Sequence, residues 1–323
     1  MNSLHRISRI LTLGLLFVAG LAQAQGYPNR PVRIVVPFAA GGPADNYARF
    51  IAQRLGDEFK QSFVIDNRPG AGSIIGTDLV AKSPADGYTL LMMSNTHTVN
   101  ESLIPNKPYG LMKDFVGIAP VNYSALLLVT HPSVPVKNVA ELIALAKSRP
   151  GKLNYASSGN GTPYHMAGEL FKFMAGVDMT HVPYKGSSGA RADIVGGQVD
   201  VMFDAETTMV ALAREGKVRA LASTGLTRSS NLPDMPTVHE SGVPKFEATI
   251  WLGLMAPKGT PADIVNRLNA EVRKIVGNPE VKAVWARQGA VAMSMTVAEF
   301  DKYLQGDIAQ WANIVKVSGA KPD

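Results

Sequence analysis

The 323-residue chain contains no cysteine. That absence excludes a disulfide scaffold, a zinc–cysteine site, an iron–sulfur cluster and a thiol nucleophile. Aromatic residues are sparse, at 7%. No basic run or aromatic-interleaved basic patch occurs, so nucleic-acid binding has no support. The six histidines are scattered, with no H-E-x-x-H pair, so neither a metal site nor a cofactor is expected. There is no G-x-S-x-G nucleophile elbow and no correctly spaced phosphate loop. What is present is ordinary for a folded protein: 46% hydrophobic and 18% charged residues, with 30 Gly and 21 Pro. The length allows more than one core, because single cores stop growing near ~250–300 residues.

One uncharged apolar stretch stands out, Ile10 to Leu21, preceded by His5, Arg6 and Arg9 and followed by Ala22-Gln23-Ala24. Basic start, short apolar core and small-x-small site read as a secretory signal over residues 1–24. The stretch is shorter than the ~20 residues a spanning helix needs. The competing reading is an uncleaved membrane anchor. Cleavage would remove Arg6 and Arg9 and so two of the six net positive charges. The expected product is exported, periplasmic and held together by packing, not by disulfides.

Short β-rich runs then alternate with helical patterns, which predicts an α/β fold. Strands are expected at 33–36, 63–65, 89–93, 116–121, 126–130, 154–156, 180–182, 199–203, 219–223 and 251–255. In the helix starting near Ala44, Tyr47, Ile51, Leu55 and Phe59 recur at i+4 spacing. The tail is helical and holds too few strands for its own sheet, so it is expected to return through Trp251–Met255. This predicts domain 1 from 25–123 with 248–323, and domain 2 from 124–247. The two would be joined by ordered strands acting as a hinge, with a ligand cleft between them.

Two loops repeat one design of strand, small residues and helix start. Phe38, Ala39, Ala40, Gly41, Gly42, Pro43, Ala44 and Asp45 form the first; Ser157, Ser158, Gly159, Asn160, Gly161, Thr162 and Pro163 form the second. Backbone N–H groups and the positive end of a helix dipole favour an anion there. Either loop alone is also an ordinary βα turn; the pair, facing across a cleft, would grip a small acid. Tyr184-Lys185-Gly186-Ser187-Ser188 is a third donor loop, in which Lys185 is either a cleft cation or a solvated surface residue. His97 follows a strand end and either lines the cleft or is a loop histidine. Gly70 to Gly76 has the wrong spacing for a dinucleotide fingerprint and reads as a turn with close helix packing. Ser158, His165 and Asp204 are the right types for nucleophilic catalysis, but no spacing fixes a triad. A secreted hydrolase is thus the weaker alternative, and the chain is expected not to be an enzyme.

Many ordered motifs resemble a known family. They include Val36-Pro37-Phe38 with Gly41-Gly42 and Asp45, Asn67-Arg68-Pro69-Gly70-Ala71-Gly72, and Asp86-Gly87-Tyr88-Thr89-Leu90. Further on come Gly159-Asn160-Gly161-Thr162 with His165, His181-Val182-Pro183-Tyr184-Lys185-Gly186, and Met202-Phe203-Asp204. Together they are similar to the Bug family, the periplasmic solute-binding proteins of tripartite tricarboxylate transporters. The resemblance covers the chain beyond its leader. It implies a two-domain periplasmic-binding-protein clamshell and ligand carboxylates held by loops of both domains. It also implies delivery to the transporter's membrane subunits, and a monomer is expected. It carries over to Phe38, Gly41, Gly42, Asp45, Ser157, Asn160, Gly161, Thr162, His165, Tyr184 and Asp204.

The chain departs from the family pattern where Pro43-Ala44 replaces the usual Ser-Thr, where Tyr164 replaces a polar residue, and where Ala205-Glu206-Thr207 follows Asp204. Fewer hydroxyls and an added ring point to a less polar ligand, an aromatic carboxylate such as terephthalate, unless Tyr164 simply caps its loop. A sensor subunit for a membrane receptor is a further alternative use of the same scaffold.

Overall fold

The computed structural model describes residues 26–229, 231–318 and 320–322. The expected leader, 1–24, lies outside the described residues. The strands are β1 (Val32–Val36), β2 (Phe63–Asn67), β3 (Thr89–Ser94), β4 (Phe115–Thr130), β5 (Asn154–Ser157), β6 (Thr180–Pro183), β7 (Val201–Ala205), β8 (Arg219–Ser223), β9 (Thr249–Pro257) and β10 (Ala290–Ala292). The helices are α1 (Pro43–Phe59), α2 (Ile74–Ala81), α3 (Asn95–Leu103), α4 (Leu111–Asp114), α5 (Val139–Ser148), α6 (Pro163–Ala175), α7 (Ser187–Val195), α8 (Glu206–Arg214), α9 (Ala262–Gly277), α10 (Pro279–Arg287) and α11 (Val297–Ser318).

The strands run in the order β2-β1-β3-β9-β4-β7-β5-β6, with β8 and β10 also paired to β4. Parallel pairs β1/β2 and β5/β6 are each joined by one crossover helix, β1/β3 and β5/β7 are also parallel, and antiparallel pairs surround β4. From Phe115 to Ala125, β4 pairs with β9. It pairs with β7 from Leu126 and with β8 from Leu127, both to Thr130. We call the β2-β1-β3-β9 side the first lobe and the β7-β5-β6 side, with β8, the second. The strand β9 lies between β3 and β4.

Where two strands were expected, over 116–121 and 126–130, there is one 16-residue strand. Its register shifts between Gly117 and Ala119 and between Pro120 and Asn122. Pro120 donates no ladder hydrogen bond and sits at such an irregularity, which lets the strand run on. Three short elements were not anticipated: α3, α4 and β10.

Helix α1 buries Tyr47, Ile51 and Leu55 on one stripe, as its spacing required. Trp285 of α10 packs edge-on against Tyr47 at 5.0 Å and Phe50 at 5.3 Å, which ties the tail to that stripe. In the second lobe Phe171, Phe203 and Phe246 form the aromatic centre of the core. Trp311 and Ala320 pack with Val99 and Leu103 of α3 and Met166 of α6, so the chain's end touches both lobes.

Candidate functional site

The loop after β1 enters α1 through Gly42, whose extended backbone precedes Pro43 at the first helical position. No side chain caps this end, so its first-turn amides stay available. The loop is held from behind. Gly41 N–H and Arg49 Nε donate to Asp45 Oδ2 at 2.9 and 3.0 Å, and Asn67 Nδ2 donates to Asp45 Oδ1 at 3.0 Å. The Asp45 carboxylate therefore braces its own loop.

The matching loop after β5 enters α6 through Thr162 and Pro163. Thr162 Oγ1 donates to Gly159 O at 2.7 Å, and Gly161 N–H donates to His165 Nδ1 at 3.1 Å. Ser157 Oγ lies 2.6 Å from His181 Nε2, and the His181 ring stacks on those of His165 and Tyr155. In this loop it is Ser157 whose hydroxyl meets an imidazole, that of His181.

These loops meet at a narrow cavity of about 20 Å³. Gly42, Pro43 and Ala44 from the start of α1 line it. So do Ser94 and Thr96 from the start of α3, Pro163 and Tyr164 from α6, and Ser187 from α7, with Phe38, Ala39, Ser158 and Ile250 completing the wall. Four helix N-termini thus converge on one space, and two of them, α1 and α7, have no side-chain cap. A second, roomier space of about 190 Å³ lies next to it, lined by the 70–73 turn, Ser158 to Asn160, and Pro183 to Lys185. Phe38 and Ser158 border both spaces. Lys185 is exposed at this outer space.

Of the remaining candidates, Tyr184 borders the outer space, but its hydroxyl donates to Asp193 Oδ2 at 2.5 Å, and burial with that carboxylate pushes its pKa up to about 12. His97 does not face the cavity. It belongs to α3, where Ser94 N–H donates to its Nδ1 at 3.2 Å and Thr77 Oγ1 lies 2.9 Å from its Nε2. Phe38 covers it edge-on, and burial pushes its pKa down to about 4. The stretch read as a loop is a capping box, with Ser94 as the cap.

Asp204 ends β7 wholly buried beneath Tyr164. Its Oδ1 accepts from Ala205 N–H at 2.7 Å, and its carboxyl lies against the buried Tyr164 hydroxyl. Arg191 Nε stands 3.7 Å from Oδ2. Burial outweighs that cation and raises the Asp204 pKa to about 6. Gly161, with φ +72, lies so close to α3 that a Cβ would strike Asn100 Oδ1. The two lobes are therefore in close contact at this point.

Reading the sequence missed Ser94, Thr96, Ile250 and Arg191. Ser94, placed between a strand and His97, carried a helix-cap signal. Ile250 and Arg191 carried none, because their places depend on the return strand and on the packing of α7 across the cleft.

A family model described as the tripartite tricarboxylate transporter family receptor matches residues 47–320. The protein BugT of Bordetella pertussis is 38% identical over 98% of this chain and 99% of its own length. A protein of R. palustris solved with adipate is 37% identical, with TM-score 0.89, over 92% of this chain and 100% of that one. MatC from Rhodopseudomonas palustris, with bound malate, is 33% identical, with TM-score 0.85, over 90% and 100%.

Proposed function

Because this chain belongs to the tripartite tricarboxylate transporter receptor family, whose members are periplasmic solute receptors, we propose that it is exported, closes on a small carboxylate and delivers it to the membrane subunits of such a transporter. It works as a monomer in this reading. Residues 25–123 with 248–323 move as one body and 124–247 as the other. The observation that carries the reading is the convergence of four helix N-termini on one cavity. Backbone donors and helix dipoles there favour an anion without any side-chain cation in the lining. The solved relatives with adipate and malate agree with a carboxylate.

The ligand's body is read from the remaining walls. Phe38, Ala39, Pro43, Ala44, Pro163, Tyr164 and Ile250 are mostly apolar surface. Pro43 supplies no N–H and Ala44 no hydroxyl. The lining thus suits a carboxylate with an apolar middle, and an aromatic acid such as terephthalate is the specific candidate. A thermal-shift panel of terephthalate, benzoate, adipate, malate, citrate and glutamate tests both levels. Stabilisation by terephthalate above the others supports the aromatic reading; stabilisation by citrate or glutamate alone refutes it. No stabilisation by any carboxylate refutes the function.

A further inference from the structure

The loop that presents the α1 amides is gripped by the opposite lobe. Ser188 Oγ donates to Ala40 O at 2.6 Å, and Arg191 Nη2 donates to Gly41 O at 2.8 Å. Both donors lie on α7 of the second lobe, one turn apart. Gly186, immediately before α7, packs so tightly on the loop that a Cβ would lie 2.7 Å from that of Ala39. The Arg191 side chain is only 14% exposed, and it also faces the buried Asp204 carboxyl of its own lobe at 3.7 Å. One guanidinium thus connects the interior of the second lobe to the main chain of the first.

A trans peptide unit carries its C=O and N–H in opposite directions. In the unit joining residues 40 and 41, Ser188 takes the carbonyl while Asp45 takes the Gly41 N–H. In the next unit Arg191 takes the Gly41 carbonyl, which turns the Gly42 N–H the other way, and Gly42 lines the cavity. From this the geometry points to Arg191 as a latch: it holds the closed form and, in the same contact, aims the Gly42 amide at the bound anion. The inference deepens the carboxylate reading and rests on it for the ligand, but not for the closure. Arg191 is a positioning residue and is outside the cavity lining. A charge-assisted hydrogen bond to a carbonyl is stronger than a neutral one, so Arg191 outweighs Ser188 in the grip. Apparent affinity scales with the closed fraction, so losing the latch weakens binding even though no ligand contact is removed.

The absence of cysteine allows a direct test. Val64→Cys in the first lobe and Phe173→Cys in the second, both exposed in the parent residue, take spin labels for distance measurement. Arg191→Ala is expected to move the ligand-free distance distribution toward the open form and to weaken adipate binding about tenfold or more. Ser188→Ala, a partly exposed change that leaves Asp204 paired, is expected to shift it in the same direction by less. Arg191→Lys, which keeps the charge and one donor, is expected to recover part of the closed population. Identical distributions for the parent and both alanine variants, with and without saturating adipate, overturn the latch. Should neither adipate nor terephthalate bind the parent, the carboxylate reading fails, and the ligand-free distances still decide the latch.

Discussion

Thr77 Oγ1 lies 2.9 Å from His97 Nε2, and both residues are wholly buried. With Ser94 on Nδ1, this leaves the imidazole a structural pin between α2 and α3. Burial holds its pKa down to about 4, well below the usual histidine range. The unfolded chain therefore binds the extra proton first as pH falls. Stability from this group is full above about pH 6.5 and declines toward pH 4, by roughly 3 kcal/mol in all. The expected result is a His97 ring resonance that does not titrate between pH 8 and 5. A midpoint above 6 in an NMR titration contradicts it.

Asp45 titrates with the opposite stake. Burial pushes its carboxyl up, but Arg49, the Gly41 N–H and Asn67 together outweigh burial and hold it below the usual carboxylate range. A depressed acid contributes stability above its unfolded pKa and loses it as pH falls through the folded one. Asp45→Asn is expected to lose about 1–3 kcal/mol at pH 7. The difference from the parent should narrow in melts taken in the acid range, and a difference that widens there contradicts the brace.

Gly161 allows closure. Its φ of +72 and its approach to Asn100 Oδ1 leave no space for a methyl group. Gly161→Ala is expected to fold and to weaken adipate binding about tenfold or more, because the lobes separate to relieve the contact. Adding Asn100→Ala should restore part of the affinity, and calorimetry on the pair measures that coupling. Unchanged affinity in the single variant contradicts an interlocked closure.

The buried Tyr164 hydroxyl lies against the Asp204 carboxyl without a well-formed hydrogen bond. Tyr164→Phe removes a hydroxyl that makes no well-formed hydrogen bond, so the ligand-free unfolding free energy is expected to stay within about 1 kcal/mol of the parent or to rise. A loss beyond that would show the hydroxyl already bonded in the free protein.

Much of this molecule was legible in the chain itself. Tyr47, Ile51 and Leu55 at i+4 spacing made α1 and its buried stripe certain, and short β-branched runs marked most strands. The two small-residue loops located the helix starts, because glycine, proline and capping residues act locally and leave a local signature. Tertiary structure decided the rest. Only packing could fuse two expected strands into β4, since bulges around Pro120 are set by the partner strand β9. Packing alone could turn His97 inward onto Thr77, or commit the Asp45 carboxylate to its own loop. Arg191 shows the limit most clearly. In the sequence it is an ordinary helix-surface arginine, and its partners, Gly41 and Asp204, lie 150 residues before it and on a separate strand. Contacts between lobes depend on how two bodies close, and no periodicity within either one encodes that.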